Sequence, residues 1–248
     1  MTRILSNKEF KVILGLIIFA AAFRIPTLGS PLIEDEAISF NRYIEVPWQK
    51  LILGYHDTNQ HTLFLLISKL FIFVFGETEI VYRLPSLLFG VLSIPLMYRL
   101  GLTMKFPWSS ALLSAILMAL SWPHLKYSME GRGYGITIFL VLLVIYSAIQ
   151  FLNTSRWVWG SILIVSGFAM TMALPSNLFF LGGLTVFTVM AGWFESEKSS
   201  FNIKRLFWLA VPQLIMFALI AAYFLVIYEQ LKYGKDIQPQ SLDGARIR

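Results

Sequence analysis

Seven apolar stretches of membrane length dominate this chain: residues 10–28, 80–98, 107–125, 134–152, 157–174, 176–194 and 206–228. A hydrocarbon core of ~30 Å is crossed by about 20 helical residues, and each stretch is of that order. Inside a bilayer, backbone polar groups find no water, so a stretch of this kind must satisfy its own N–H and C=O groups as a helix. The expected fold is therefore all-α, a polytopic transmembrane bundle of about seven spans.

Composition agrees. The chain is 57% hydrophobic and 14% charged, against about 45–50% and about 25% for a soluble domain. The net charge of +6 is spread over loops, where Lys and Arg set orientation and touch lipid headgroups. No basic run interleaved with aromatics lies outside the spans, so a nucleic-acid partner is not expected. The absence of cysteine removes disulfides, thiolate metal sites and thiol catalysis. The first stretch is followed by Arg24-Ile25-Pro26 rather than by a small-residue cleavage site, which reads as an uncleaved signal anchor.

An eighth segment, Thr62–Phe75, is apolar but about 14 residues long and contains Lys69. That length favours a helix lying in the interface within the first outer loop. The choice fixes the topology. With this segment in the interface, the loops around residues 30–60 and 122–133 share one side of the membrane. The Lys/Arg-dense short segments around Arg3, Lys8, Lys11, Arg99, Lys105, Arg156, Lys198, Lys204 and Arg205 share the cytoplasmic side. Residues 1–228 then form the transmembrane domain. Residues 229–248 read as the start of an outer loop that is cut short.

Two polar islands interrupt the apolar pattern. In the first, Glu34-Asp35-Glu36, Asp35 and Glu36 are candidate catalytic acids: a carboxylate can take the proton from an acceptor hydroxyl or amine. The alternative is a solvated helix end. In the second, Glu130-Gly131-Arg132-Gly133-Tyr134, Arg132 matches phosphate with paired N–H groups and stays charged at any working pH. Glu130 stands beside it, and Lys126 offers a second positive charge or a lipid anchor. Gly131 and Gly133 would let backbone approach a bulky headgroup. The alternative for Arg132 is a snorkelling side chain.

Asp57, Asn59 and His61 form a polar run with His56 ahead of the short helix, and with Tyr134 they are candidates for substrate binding. Two histidines and an aspartate can hold a divalent metal, but His-x4-His is not a recognised ligand spacing on a helix. The metal requirement stays open. His124, beside Pro123, reads as an interfacial residue.

Four ordered elements carry a resemblance: Asp35-Glu36-Ala37; Asn59-Gln60-His61-Thr62-Leu63; Phe75-Gly76-Glu77 leading to Tyr82-Arg83-Leu84-Pro85-Ser86; and Tyr127-Ser128-Met129-Glu130-Gly131-Arg132-Gly133-Tyr134. Over residues 10–190 the chain resembles the protein O-mannosyltransferase-like branch of the membrane glycosyltransferase C superfamily. This branch includes dolichyl-phosphate-mannose-protein mannosyltransferases and lipid A aminoarabinose transferases. The resemblance implies a polyprenyl-phosphate-linked sugar as donor, a lipid, glycan or protein acceptor, and an active site on the outer face of a bacterial or archaeal plasma membrane. It maps the catalytic aspartate onto Asp35 and the phosphate-holding arginine onto Arg132. The family's His-Pro-Pro-Leu is here His61-Thr62-Leu63, without the rigid turn, and family members are longer, so a fragment or a short degenerate form is expected. The rival class is a non-catalytic membrane protein, either a transporter or an accessory subunit. Charges gathered at the membrane boundary rather than at the midplane favour interfacial chemistry.

Overall fold

The computed structural model describes residues 6–197 and 203–233, with side chains described for residues 6–193 and 207–228. Among the described residues there are eleven α-helices and one 3-10 turn, and no strand: α1 (Asn7–Ala22), the turn Ile25–Thr27, α2 (Glu34–Tyr43), α3 (Trp48–Leu53), α4 (Thr62–Phe75), α5 (Glu79–Thr103), α6 (Trp108–Leu120), α7 (Trp122–Met129), α8 (Tyr134–Thr154), α9 (Trp157–Ala173), α10 (Asn177–Glu197) and α11 (Ile203–Tyr233). The protein is a polytopic all-α bundle. Four segments, Asn7–Thr27, Glu79–Thr103, Tyr134–Thr154 and Phe207–Tyr228, are each long and apolar enough to cross a membrane. The helix α11 runs past the span end expected at residue 228, and residues 234–248 of the expected outer loop lie outside the described residues.

Local chemistry sets the helix ends. Ser6 Oγ accepts the Glu9 N–H (3.2 Å) while Glu9 accepts the Ser6 N–H (3.0 Å), a reciprocal cap at the start of α1. Thr78 caps α5 by accepting the Val81 N–H at 3.2 Å. Gly76, at φ 91°, ends α4 in a conformation that only glycine adopts freely.

The central helix is α5, which packs against α1, α4, α6, α7 and α8. The expected span at residues 107–125 is broken into α6 and α7. Pro123 carries no N–H and cannot bond the carbonyl four residues back, that of Ala119, which instead accepts from Arg24 Nη2 at 3.2 Å. The two pieces still make one path along α5. A Cβ at Gly101 would lie 2.9 Å from Ala111 Cβ, His124 Nε2 meets Ser93 Oγ at 2.8 Å, and the Arg132 carbonyl accepts from Ser86 Oγ at 2.9 Å.

His124 is therefore buried, not interfacial. Arg24 Nη2–H donates to its Nδ1 at 2.7 Å, which leaves the Nε2–H to donate to Ser93, whose hydroxyl donates to the Gly90 carbonyl at 2.6 Å. Arg24 is fully buried and also donates to the Ala20 carbonyl at 2.8 Å. Its charge thus faces the carbonyl ends of both α1 and α6, where helix dipoles concentrate negative potential.

The short helix α4 lies across the end of this bundle. His61, at its start, touches Tyr134 at the head of α8 and the carbonyl of Ala173 at the tail of α9. One to two turns on, Phe64 and Ser68 both meet Tyr82 in the first turn of α5. Lys69 Nζ donates to the carbonyls of Ile44 and Val46 (2.7 Å to Val46), at the end of α2. Beneath this roof, Tyr43, Leu51, Phe64, Leu65, Tyr82 and Ile136 form the buried cluster that supports the polar site.

Candidate functional site

The expected loop at residues 30–60 folds into α2 and α3, and the start of α2 carries the acids. Glu36 and Arg83 form its foundation. Arg83 Nε donates to Glu36 Oε1 at 2.8 Å and Nη2 to Oε2 at 2.6 Å, a two-pronged pair with side chains 3% and 0% exposed. The remaining Arg83 donors hold the carbonyls of Leu28 (2.9 Å), Ser30 and Pro31 (3.0 Å), which pins the link between α1 and α2. Glu36 also accepts the N–H groups of Ile33 (2.9 Å) and Gly131. Burial alone would raise the Glu36 carboxyl, but the bonds from Arg83, Gly131 and Ile33 outweigh it and hold the group below its ordinary value.

The Gly131–Glu36 bond draws the second polar island onto the first. Arg132 Nη1 donates to Asp35 Oδ2 at 2.7 Å and Nη2 to Asn59 Oδ1 at 3.2 Å, with the guanidinium carbon 5.0 Å from the centre of the Tyr134 ring. The Asp35 side chain is 47% exposed and that of Arg132 13%. One carboxylate thus faces open space with a nearly buried cation behind it. The two neighbouring acids have parted: Asp35 looks out, whereas Glu36 is consumed in holding the fold together.

The other candidates fall around this pair. His61 is buried against Tyr134, with ring centres 5.2 Å apart. Burial, with the nearby Arg132 charge, lowers its pKa to about 4, so the ring is neutral. It lies 3.3 Å from the Ala173 carbonyl through Nδ1, which assigns the proton to that nitrogen and leaves Nε2 as a buried acceptor with no protein partner. Asp57 turns to Arg42 and to the Asn59 N–H (2.8 Å), so it shapes the loop rather than meeting Arg132. Lys126 pairs with Glu130 at 3.6 Å, its side chain half exposed. Burial holds the Glu130 carboxyl above its ordinary value against the pull of Lys126.

The glycines serve a purpose other than the one expected. A Cβ at Gly131 would lie 2.5 Å from Tyr82 Cε1, and one at Gly133 would lie 3.0 Å from His61 Cβ. They admit the protein's own side chains, not a headgroup. Among the described residues no three His, Asp or Glu side chains stand together as a metal site.

Sequence reasoning missed Arg83, although an arginine inside an apolar span is itself a signal that a partner waits. It also missed Gln60, whose Nε2 donates to the carbonyls of Leu51 (3.2 Å) and Gly54 (2.6 Å) and whose Oε1 accepts the His56 N–H at 2.8 Å. That buried amide gives the loop bearing Asn59 and His61 its shape.

Fold and site together define a polytopic helical membrane protein with a charged, partly open polar site at one end of its bundle. No known family profile and no curated protein matches the chain. The fold is similar to that in the structure of the S. cerevisiae protein O-mannosyltransferase Pmt1-Pmt2 complex bound to the sugar donor. The TM-score is 0.72 at 18% identity, over 92% of this chain and 35% of that one. The likeness is one of fold, and the chain spans about a third of the length of the protein it matches.

Proposed function

We propose that this chain is the membrane-embedded part of a glycosyltransferase that takes its sugar from a polyprenyl-phosphate carrier at the outer face of the membrane. The observation that carries the reading is the Asp35–Arg132 pair, 97 positions apart in sequence and joined at 2.7 Å. Asp35 is the general base. It takes the proton of an acceptor hydroxyl or amine as that atom bonds to the anomeric carbon of the donor. The bond from the anomeric carbon to the phosphate oxygen breaks, its electron pair stays on the phosphate, and the configuration inverts. Arg132 stabilises that growing charge, aided by the N-terminus of α8 at Tyr134. Phosphate is a good leaving group, so the scheme needs no separate acid. His61 and Tyr134 line the sugar side, and Glu36 acts as a positioning residue through Gly131.

The fold likeness to a mannosyltransferase bound to its sugar donor supports a sugar donor; the polyprenyl-phosphate carrier rests on the Asp35–Arg132 site. The test is Asp35→Asn in the intact membrane protein. Transfer should fall by about 10²–10⁴-fold, the usual contribution of a general base, while polyprenyl-phosphate affinity is kept or improved. Near-native turnover would transfer the role of base to another acid and defeat the assignment.

A further inference from the structure

Arg132 has one edge that the protein leaves almost uncommitted. A guanidinium binds an oxyanion two-pronged through parallel N–H groups. Arg83 shows this in the same molecule, where Nε and Nη2 grip the two oxygens of Glu36 at 2.8 and 2.6 Å. On Arg132, Nη1 is taken by Asp35. The equivalent Nε–Nη2 edge meets only a neutral amide: Nη2 donates to Asn59 Oδ1 at 3.2 Å, and Nε is buried without a partner. A buried donor left unmatched is costly, so this edge is incomplete until an oxyanion fills it.

We infer that the Asn59 side chain is a placeholder: its amide covers the Nε–Nη2 edge of Arg132 in the empty protein and swings away when a lipid-linked phosphate binds there. This rests on the reading of Arg132 as the phosphate holder and adds to it. Asp35 keeps Nη1 throughout, so one guanidinium bridges base and leaving group and sets the spacing between them. Asn59 is suited to the part because its backbone is fixed independently of its side chain. The Asn59 N–H donates to Asp57 Oδ1 at 2.8 Å, and its carbonyl accepts from Ser39 Oγ at 3.2 Å and from the His61 N–H at 3.1 Å. Rotation of the amide about its own side-chain torsions therefore breaks none of these backbone bonds.

The test compares binding of polyprenyl phosphate, the matching uncharged polyprenol and inorganic phosphate to three forms of the protein in lipid nanodiscs: wild type, Asn59→Ala and Asn59→Asp. Asn59→Ala should tighten polyprenyl-phosphate binding about three- to tenfold with no change for polyprenol. Asn59→Asp, which fills the edge with a carboxylate, should weaken it about tenfold or more. Changes of opposite sign cannot both come from misfolding. A wild type that binds phosphate and polyprenol alike would overturn the role of Arg132 itself. A wild type that prefers phosphate, with both variants unchanged, would leave that role standing and overturn the placeholder. Equal tightening of inorganic phosphate in place of the lipid form would overturn the lipid headgroup as the occupant.

Discussion

Arg83 holds Glu36 with two parallel nitrogen–oxygen contacts of 2.8 and 2.6 Å while both side chains are withdrawn from solvent. A buried pair of this kind is expensive to break from one side, because the survivor is left as an uncompensated charge. Glu36→Gln or Arg83→Ala should each destabilise the fold by about 3–5 kcal/mol. The double variant should cost less than the two single losses together, since it leaves no lone charge. Thermal unfolding in detergent measures all three; additive losses would dissolve the pair as an energetic unit.

The same carboxylate predicts an acid limit. Its folded-state pKa lies below the unfolded value, so the stability it contributes is fully present above about pH 4.5 and is lost as pH falls through the folded value. The stability gap between wild type and Glu36→Gln should close on acidification below pH 4. A gap independent of pH would show that hydrogen bonding alone, without charge, carries the contact.

His61 is shifted in the same direction, over a higher pH window. Its pKa falls to about 4 from the ordinary 6.5, so the unfolded chain binds the extra proton first. Its contribution to stability is complete above pH 6.5 and declines as pH drops toward 4, with a slope of up to about one proton. His61→Asn, which can preserve the bond to the Ala173 carbonyl, should flatten that slope between pH 6.5 and 4. An imidazole signal that titrates near pH 6.5 in the folded protein would contradict the buried neutral ring.

Arg132→Lys keeps the charge but gives up the fork that joins Asp35 and Asn59. Binding of polyprenyl phosphate should weaken about tenfold or more, with polyprenol unaffected. If Lys serves as well as Arg, a point charge suffices and the paired contact has no role.

Two glycine substitutions separate packing from flexibility. Gly131→Ala would place a methyl 2.5 Å from the buried Tyr82 ring and 3.1 Å from Glu36 Oε1, with an expected loss of roughly 1–3 kcal/mol or more. Gly183→Ala, inside α10, has nothing within 4 Å and should leave thermal unfolding unchanged or raise it slightly, since alanine favours a helix interior. Equal tolerance at both positions would count against the packing described around Glu36.

The spans were legible because hydrophobicity and length are local. The expected segments at 80–98 and 134–152 lie inside α5 and α8, and Thr62–Phe75 is the helix α4 itself. The break at residue 121 was equally local, since Pro123 two places on announces it; the apolar run hid it. The meeting of Asp35 and Arg132 followed from counting crossings, once α4 was laid across the bundle instead of through it. The division of labour between Asp35 and Glu36 was not readable. Adjacent positions on a helix point about 100° apart, and which one turns inward depends on Arg83 and Gly131, contributed by other helices. Partners distant in sequence leave no mark on the residue they satisfy.

The bond from Arg24 to the Ala119 carbonyl spans 95 positions, and that to His124 spans 100. At a synthesis rate of about 5–20 residues per second, roughly 5–20 s separate Arg24 from its partners. Through that interval α1 carries a strongly polar group that its own residues satisfy only at the Ala20 carbonyl. The bonds of Arg24 to the Ala119 carbonyl and to His124 can form only after the Pro123 break has been made, although α1 also packs on the earlier helix α5. The charge buried at Arg24 in the finished bundle thus ties the first helix to a break in the chain that is made about a hundred residues later.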